Sequence, residues 1–219
     1  MIKRFLAGLV LSLGALGAHA ATTTPAPAAA AQAPDQIVRG TTEQMQVLIR
    51  DNHEKYRADQ QAFYKVVDEV LVPHFDVRYI AQLVLGKNWR AASEDQRKRF
   101  TDAFKLMLIR SYAQTLLDNY DSVKAEWQPL RLSADVADVT VRVNLMRKSG
   151  QQPVAIGFNM RRVDNDWKIY DISVEAISLV ANFRSQITSE IKRSSLDDVI
   201  ARMEKGESFK PTAQAQAGS

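Results

Sequence analysis

The sequence predicts an α+β fold, a curved antiparallel sheet of about four strands wrapped by helices. Three observations carry this. Apolar residues recur at helical spacing as far as Tyr120 and alternate with polar ones from Val139 onward. The alternating segments fit a single register across two successive turns. One helix, through Leu106, Met107, Leu108 and Ile109, is apolar all the way round at about 100° per residue, more than one packing partner requires.

The first helix is expected from near Asp35, with a capping box at Thr41 and Gln44 and with Ile37, Thr41, Met45 and Leu48 on one face. A second follows Asp59 as its cap, carries Phe63, Val66, Val67, Val70 and Leu71, and is stopped by Pro73. A short third helix runs from Asp76, again a cap, to Gly86, which suits a helix C-terminus. Ser93 and Gln96 form a further capping box. It launches a long helix, Glu94 to Tyr120, with Phe100, Phe104, Met107, Leu108, Tyr112 and Leu116 near one face. Leu106, Ile109 and Leu117 widen that face.

The second half is strand-like. With Ser149-Gly150 as a hairpin loop, Leu145 faces Val154, Val143 faces Ile156, Val141 faces Phe158 and Val139 faces Met160. Every pair is apolar, so the pattern itself supports the register. A turn over Asp164–Asp166 then sets Met160 against Tyr170, Phe158 against Ile172 and Ile156 against Val174. The segment "VKAEWQPLRL" reads as an edge strand because of Pro129. The last strand passes almost directly into a helix bearing Ile177, Val180, Phe183, Ile187 and Ile191, and a short helix after Ser195 follows it.

At 219 residues the chain has room for one folded domain. Its start, "MIKRFLAGLVLSLGALGAHA", has a basic head, an apolar run and a small-x-small end, and reads as a signal peptide over residues 1–20. Loss of Lys3 and Arg4 takes the formal charge from +4 to +2, and the remaining basic residues are scattered, which argues against nucleic acid as a partner. The Ala- and Pro-rich leader, 21–34, and the tail, 208–219, are too simple to bury a core, leaving a folded domain over 35–207. No later stretch approaches the roughly 20 apolar residues of a spanning helix. There is no cysteine, hence no disulfide and no thiolate chemistry. The expected product is an exported, soluble monomer.

Catalytic signatures are missing: there is no phosphate-cradling glycine loop, no HExxH and no nucleophile elbow. Of the two histidines past the signal peptide, His53 sits among Asn52, Glu54 and Lys55 and reads as solvated. His74 lies in "PHFD" with Asp76 two residues on. The functional reading is an acid–base pair; the structural one is a turn in which Asp76 caps the next helix. Small isomerases on cone-shaped folds use a carboxylate base, yet the inferred inner face carries none.

The motifs Pro73-His74-Phe75-Asp76, Leu83-Val84-Leu85-Gly86-Lys87 with Trp89-Arg90, Asp95-Gln96-Arg97 with Phe100 and Phe104, Arg110-Ser111-Tyr112-Ala113, Trp167-Lys168 with Tyr170-Asp171, and Ser178-Leu179-Val180 with Asn182-Phe183-Arg184-Ser185-Gln186 resemble the signature of the MlaC family, also called toluene-tolerance proteins. The resemblance covers roughly Asp35 to Glu204. Ala176 stands where the family has Gly, Phe183 where it has Tyr, and Ser111 where it has Thr.

The resemblance implies an NTF2-like cone with an apolar lipid cavity and no enzymatic activity. It implies a periplasmic phospholipid carrier with no cofactor. The carrier shuttles lipid between an outer-membrane lipoprotein–porin complex and an inner-membrane ABC transporter complex with an MCE-domain subunit, and so maintains outer-membrane asymmetry. The cavity candidates from the helices are Leu83, Phe104, Leu108, Tyr112, Leu116, Ile177 and Val180. Those from the strands are Val141, Val143, Ile156, Phe158, Met160, Ile172 and Val174. Trp89 and Arg90 are candidates for the lipid headgroup. A small periplasmic enzyme using His74 and Asp76 is the alternative reading, and an adaptor module is a third.

Overall fold

Pro34 at the first helical position opens α1 (Pro34–Ala58) in the computed structural model. The structure describes residues 32–132, 136–147 and 152–209. The expected signal peptide, most of the expected leader, the expected Ser149-Gly150 loop and the end of the expected tail lie outside the described residues. α1 runs straight through the expected capping box at Thr41 and Gln44; there Thr42 Oγ1 donates back to Val38 O at 2.7 Å. Its backbone kinks at Asn52 (φ −130°, ψ 20°), where the Asn52 amide donates to Leu48 O at 3.0 Å. Ile49, not Leu48, takes the buried position.

Asp59 caps α2 (Gln60–Val70) by accepting the Ala62 N–H at 3.0 Å. After a single 3₁₀ turn at Val72–His74, Asp76 caps α3 (Val77–Leu85) through the Tyr79 N–H. Gly86 ends α3 at φ +54°, a conformation that disfavours any side chain. A five-residue helix, α4 (Lys87–Ala91), fills a stretch left unassigned by periodicity. The Ser93–Gln96 capping box then starts α5 (Glu94–Asn119) as expected.

The sheet has five antiparallel strands in chain order: β1 (Val123–Trp127), β2 (Asp138–Arg147), β3 (Val154–Val163), β4 (Asp166–Val174) and β5 (Ile177–Ser178). All four expected β2–β3 pairs are present. Phe158 meets Ile172 and Ile156 meets Val174, also as expected, but Met160 meets Ile169 rather than Tyr170. The β3–β4 turn leaves out Asp166, which pairs with Val163, and a bulge at Tyr170 restores the register beyond it. Alternation alone could not detect this, because Ile169 and Tyr170 are both compatible with an apolar position. Ile177 lies in β5 and not in the following helix. Glu175 (φ 48°) and Ala176 (φ 64°) make the tight turn before it. α6 (Leu179–Arg193) and α7 (Leu196–Glu204) complete the fold.

Three buried clusters hold these elements. Phe100, Phe104 and Met107 of α5 join α3, α4, α6 and α7 in one. Ile109, Ala113 and Leu117 of α5 join α1 and α2 in another. Ile109 follows Phe100 by about two and a half turns, so it points to the opposite side of the helix. The all-round apolar run of α5 is thereby explained: Met107 and Ile109 serve different cores, Leu108 is half-buried beside the first, and Leu106 is exposed. In the third cluster, Ile37 and Val38 of α1 pack on Val141, Met160, Trp167 and Ile169 of the sheet. The first cluster also takes in Phe209, a residue of the expected tail. Phe209 is 4% exposed in the first cluster, and its N–H points to Met107 Sδ at 3.4 Å.

Candidate functional site

The strands present one apolar face, because residues two apart on each strand share a side and the register aligns them. Burial along it is uneven. Val141 and Met160 are closed beneath Ile37 and Val38, with Phe158 and Ile172 packed half-buried beside them. Val143 is buried as well. At the other end Leu145, Val154, Ile156 and Val174 remain half-buried. The helical clusters and the sheet cluster do not merge. Among the described residues, Phe75 is the side chain that packs against both the first helical cluster and the sheet cluster. An apolar face that is half covered can receive hydrocarbon without displacing a charge.

The expected cavity residues do not converge on one space. Phe104, Leu108, Tyr112 and Val180 belong to the first helical cluster, whereas Val141, Phe158, Met160 and Ile172 belong to the sheet cluster. Phe104 is 1% exposed, stacked on Phe100 at 5.5 Å and edge-on to Phe183 at 5.2 Å, closed within the helical core. Leu116 and Ile177 stand at the surface, 38% and 49% exposed. Leu83 is half-buried on α3, where its carbonyl accepts from Arg184 Nε. Leu108, Tyr112 and Leu116 recur every fourth residue, and exposure grows from half-buried to open along that row.

The opposite face of the sheet carries a polar ladder that sequence reasoning passed over. Thr140 Oγ1 donates to Asn159 Oδ1 at 2.8 Å, Asn159 Nδ2 donates to Asp171 Oδ2 at 3.3 Å, and Asp171 Oδ1 accepts the Val180 N–H at 3.0 Å. The signal was available in the register, which sets Thr140 beside Asn159 and Asn159 beside Asp171. Asp171 thus fastens the first turn of α6 to the sheet.

Asp76 caps the helix that follows the turn. Asp76 Oδ1 accepts the Tyr79 N–H at 3.1 Å, and Oδ2 faces Arg161 Nη1 at 3.4 Å. Arg161 in turn lies over the Tyr79 ring at 4.1 Å. Burial, and then the Lys168 ammonium, lower the pKa of His74. Trp89 is buried, with Arg78 and Arg97 at 5.8 and 5.5 Å from its ring; Arg90 is exposed. No group of three His, Asp or Glu that could hold a metal occurs among the described residues. Nor is any helix among them long and apolar enough to cross a membrane. Two concave spaces lie at the seam of α1 and β1, about 270 and 370 Å³ in volume, and both include Gln46 and Val123 in their walls.

These features define a class of α+β protein, an open antiparallel sheet whose helices cover one part of its apolar face and leave the rest accessible. Within that class the chain belongs to the MlaC family, described as MlaC protein, which matches residues 39–205. The chain is 25% identical over 162 residues to the intermembrane phospholipid transport system binding protein MlaC of Haemophilus influenzae, covering 73% of this chain and 75% of that one. It is 26% identical over 172 residues to the toluene tolerance protein ttg2D of Pseudomonas putida, covering 77% of each. Among solved structures it resembles a phospholipid-binding protein from Ralstonia solanacearum in complex with a phospholipid. The TM-score is 0.70 and the identity 27%, over 78% of this chain and 94% of that one.

Proposed function

We propose that this protein is a phospholipid carrier of the periplasm. It takes lipid by its acyl tails and moves it between an outer-membrane lipoprotein–porin complex and an inner-membrane ABC transporter with an MCE-domain subunit, keeping the outer membrane asymmetric. The observation that carries the reading is the likeness to a phospholipid-bound structure over 94% of that neighbour's length. The half-covered apolar face of the sheet supports it, as does, separately, the row from Leu108 to Leu116 on α5.

The energetics make a carrier necessary. Burying a methylene group stabilises by about 0.8 kcal/mol, so two tails of about 15 carbons lose roughly 24 kcal/mol on entering water. A carrier offsets that barrier by offering an apolar surface of comparable quality, with the polar headgroup kept toward solvent. Native mass spectrometry of the protein purified from a periplasmic extract without delipidation tests the reading. A bound mass equal to a phospholipid is expected. Lipid-free protein held by one tight protein partner would point to an adaptor instead, and turnover that depends on His74 would point to an enzyme.

A further inference from the structure

β1 is the first strand in the sheet order, and no strand lies beside its outer edge among the described residues. Gln128 N–H donates to Arg142 O at 3.0 Å, which sets the phase of pairing. Lys124 and Glu126 exchange backbone bonds with β2, so Val123, Ala125 and Trp127 direct their N–H and C=O groups to the free edge. The side chains of Val123, Ala125 and Trp127 share the apolar face with Val143 and Leu145, while those of Lys124 and Glu126 are exposed on the other face. The 270 Å³ space runs along this edge, walled on its far side by Thr42, Glu43 and Gln46 of α1. It adjoins the 370 Å³ space, whose wall includes the exposed Val47.

We propose that this edge is a docking site for an extended segment of a partner protein, which adds to the sheet as a further antiparallel strand. The edge dictates the chemistry of the segment. It needs apolar residues opposite Val123, Ala125 and Trp127, an acidic residue opposite Lys124 and a basic residue opposite Glu126. Gln46 and Glu43 supply a donor and acceptors on the α1 side of the slot, where a lone added strand keeps unpaired backbone groups. A five-residue edge suits a contact that forms and breaks repeatedly. The apolar side chains of the added strand extend the face to which Val143 and Leu145 belong. A partner would thus bring its own apolar surface alongside bound tails; that use in handover rests on the carrier reading. Two copies of this chain pairing through β1 would also set Lys124 opposite Glu126, so oligomeric state is measured in the same experiment.

The probe is an end-capped peptide, Thr-Val-Lys-Val-Glu-Val-Thr, whose antiparallel alignment places Lys opposite Glu126 and Glu opposite Lys124. It is added to the full lipid-loaded protein and read by fluorescence anisotropy and by amide hydrogen exchange. Saturating peptide is expected to protect the amides of Val123, Ala125 and Trp127. The charge-reversed peptide, Thr-Val-Glu-Val-Lys-Val-Thr, is expected to bind about fivefold more weakly. Ala125→Pro removes one outward N–H and leaves the bonds of Lys124 and Glu126 to β2 in place. It is expected to weaken binding about tenfold or more with the thermal midpoint unchanged. Should Ala125→Pro fail to fold, the exchange of charges in Lys124→Glu with Glu126→Lys is expected to invert the peptide preference. Unprotected edge amides at saturation, undiminished binding by folded Ala125→Pro, or a dimer protecting the same amides without peptide would each overturn the proposal. Lipid content is weighed on the same samples: its absence counts against the carrier reading and leaves the strand-docking result standing.

Discussion

The carboxylate of Asp171 accepts the backbone N–H of Val180 at 3.0 Å, joining β4 to the first turn of α6. Asp171 is 9% exposed, and its second oxygen faces the Asn159 amide. Removing the carboxylate leaves two donors without their acceptor, which costs about 1–3 kcal/mol where they are buried. Asp171→Ala is therefore expected to lower the thermal midpoint clearly, and Asp171→Asn, which keeps an acceptor oxygen, to lower it less. Ser178→Ala, which removes the helix cap on Ala181 N–H, is expected to cost about 1 kcal/mol. A midpoint for Asp171→Ala equal to wild type would show that the ladder does not hold α6.

Ala176 occupies φ +64°, where a β-carbon is disfavoured and glycine is not. Its neighbour Glu175 is at φ 48°, but the Glu175 carboxylate accepts the Ala155 N–H at 2.6 Å, which offsets the strain there. No such contact is available to a methyl group. Ala176→Gly is thus expected to stabilise the protein by about 1 kcal/mol, the strain released exceeding the added entropy of the unfolded chain. Urea unfolding measures it, and a destabilised glycine variant would contradict the assignment of strain to this turn.

These two sites show how far sequence reasoning reaches. The β2–β3 register was readable because pairs apolar on both strands alternate with polar or small ones, so a one-residue slip would set apolar residues against polar ones throughout. The bulge at Tyr170 was not readable: it depends on which two residues the turn holds out, and that is decided by the geometry of Asp164 (φ 54°). The capping boxes split in the same way. Ser93 with Gln96 starts a helix, whereas Thr41 with Gln44 lies inside one, since Ile37 and Val38 gain more by burial on the sheet than the cap supplies. On the strands, alternation pointed to one apolar face, and the register aligns its residues. Periodicity did not separate Phe104, closed within the helical core, from Phe158, half-open on the sheet, because helical spacing is the same for a packed and a lining residue.

His74 gives the protein a pH dependence with a definite sign. Burial is the larger cause and Lys168 the second in lowering its pKa from the ordinary 6.5, while Asp166 opposes them. Below 6.5 and down to the folded-state value, the unfolded chain binds more protons than the folded one. Stability therefore rises with pH across that window and is lost as pH falls through it. His74→Gln is expected to flatten this part of the profile, modestly because the ring is half-buried, and to leave lipid content unchanged. The check is the difference in thermal midpoint between wild type and variant from about pH 5 to pH 8. A difference that does not change with pH would remove His74 as the source.

Phe104 and Phe158 are both phenylalanines expected to line a cavity, and they differ in burial: Phe104 is closed within the helical core and Phe158 is half-buried on the sheet. Phe104→Ala deletes a ring closed on all sides and is expected to cost about 3–5 kcal/mol of stability, with lipid content falling no more than the folded fraction does. Phe158→Asp places a carboxylate on the half-open apolar face, where contact with hydrocarbon would leave it desolvated at a cost of several kcal/mol. It is expected to lose co-purified phospholipid while part of the protein remains folded. Val143→Glu is a poorer probe, since Val143 is buried and the substitution attacks the fold itself. Leu116→Glu offers the gentlest version: at 38% exposure the side chain can turn to water, so stability is expected to hold while lipid retention drops. Thermal unfolding and lipid content must be read on the same preparations. If Phe158→Asp and Leu116→Glu both stay folded with a full lipid load, the tails bind elsewhere than on this face of the sheet and this row of α5.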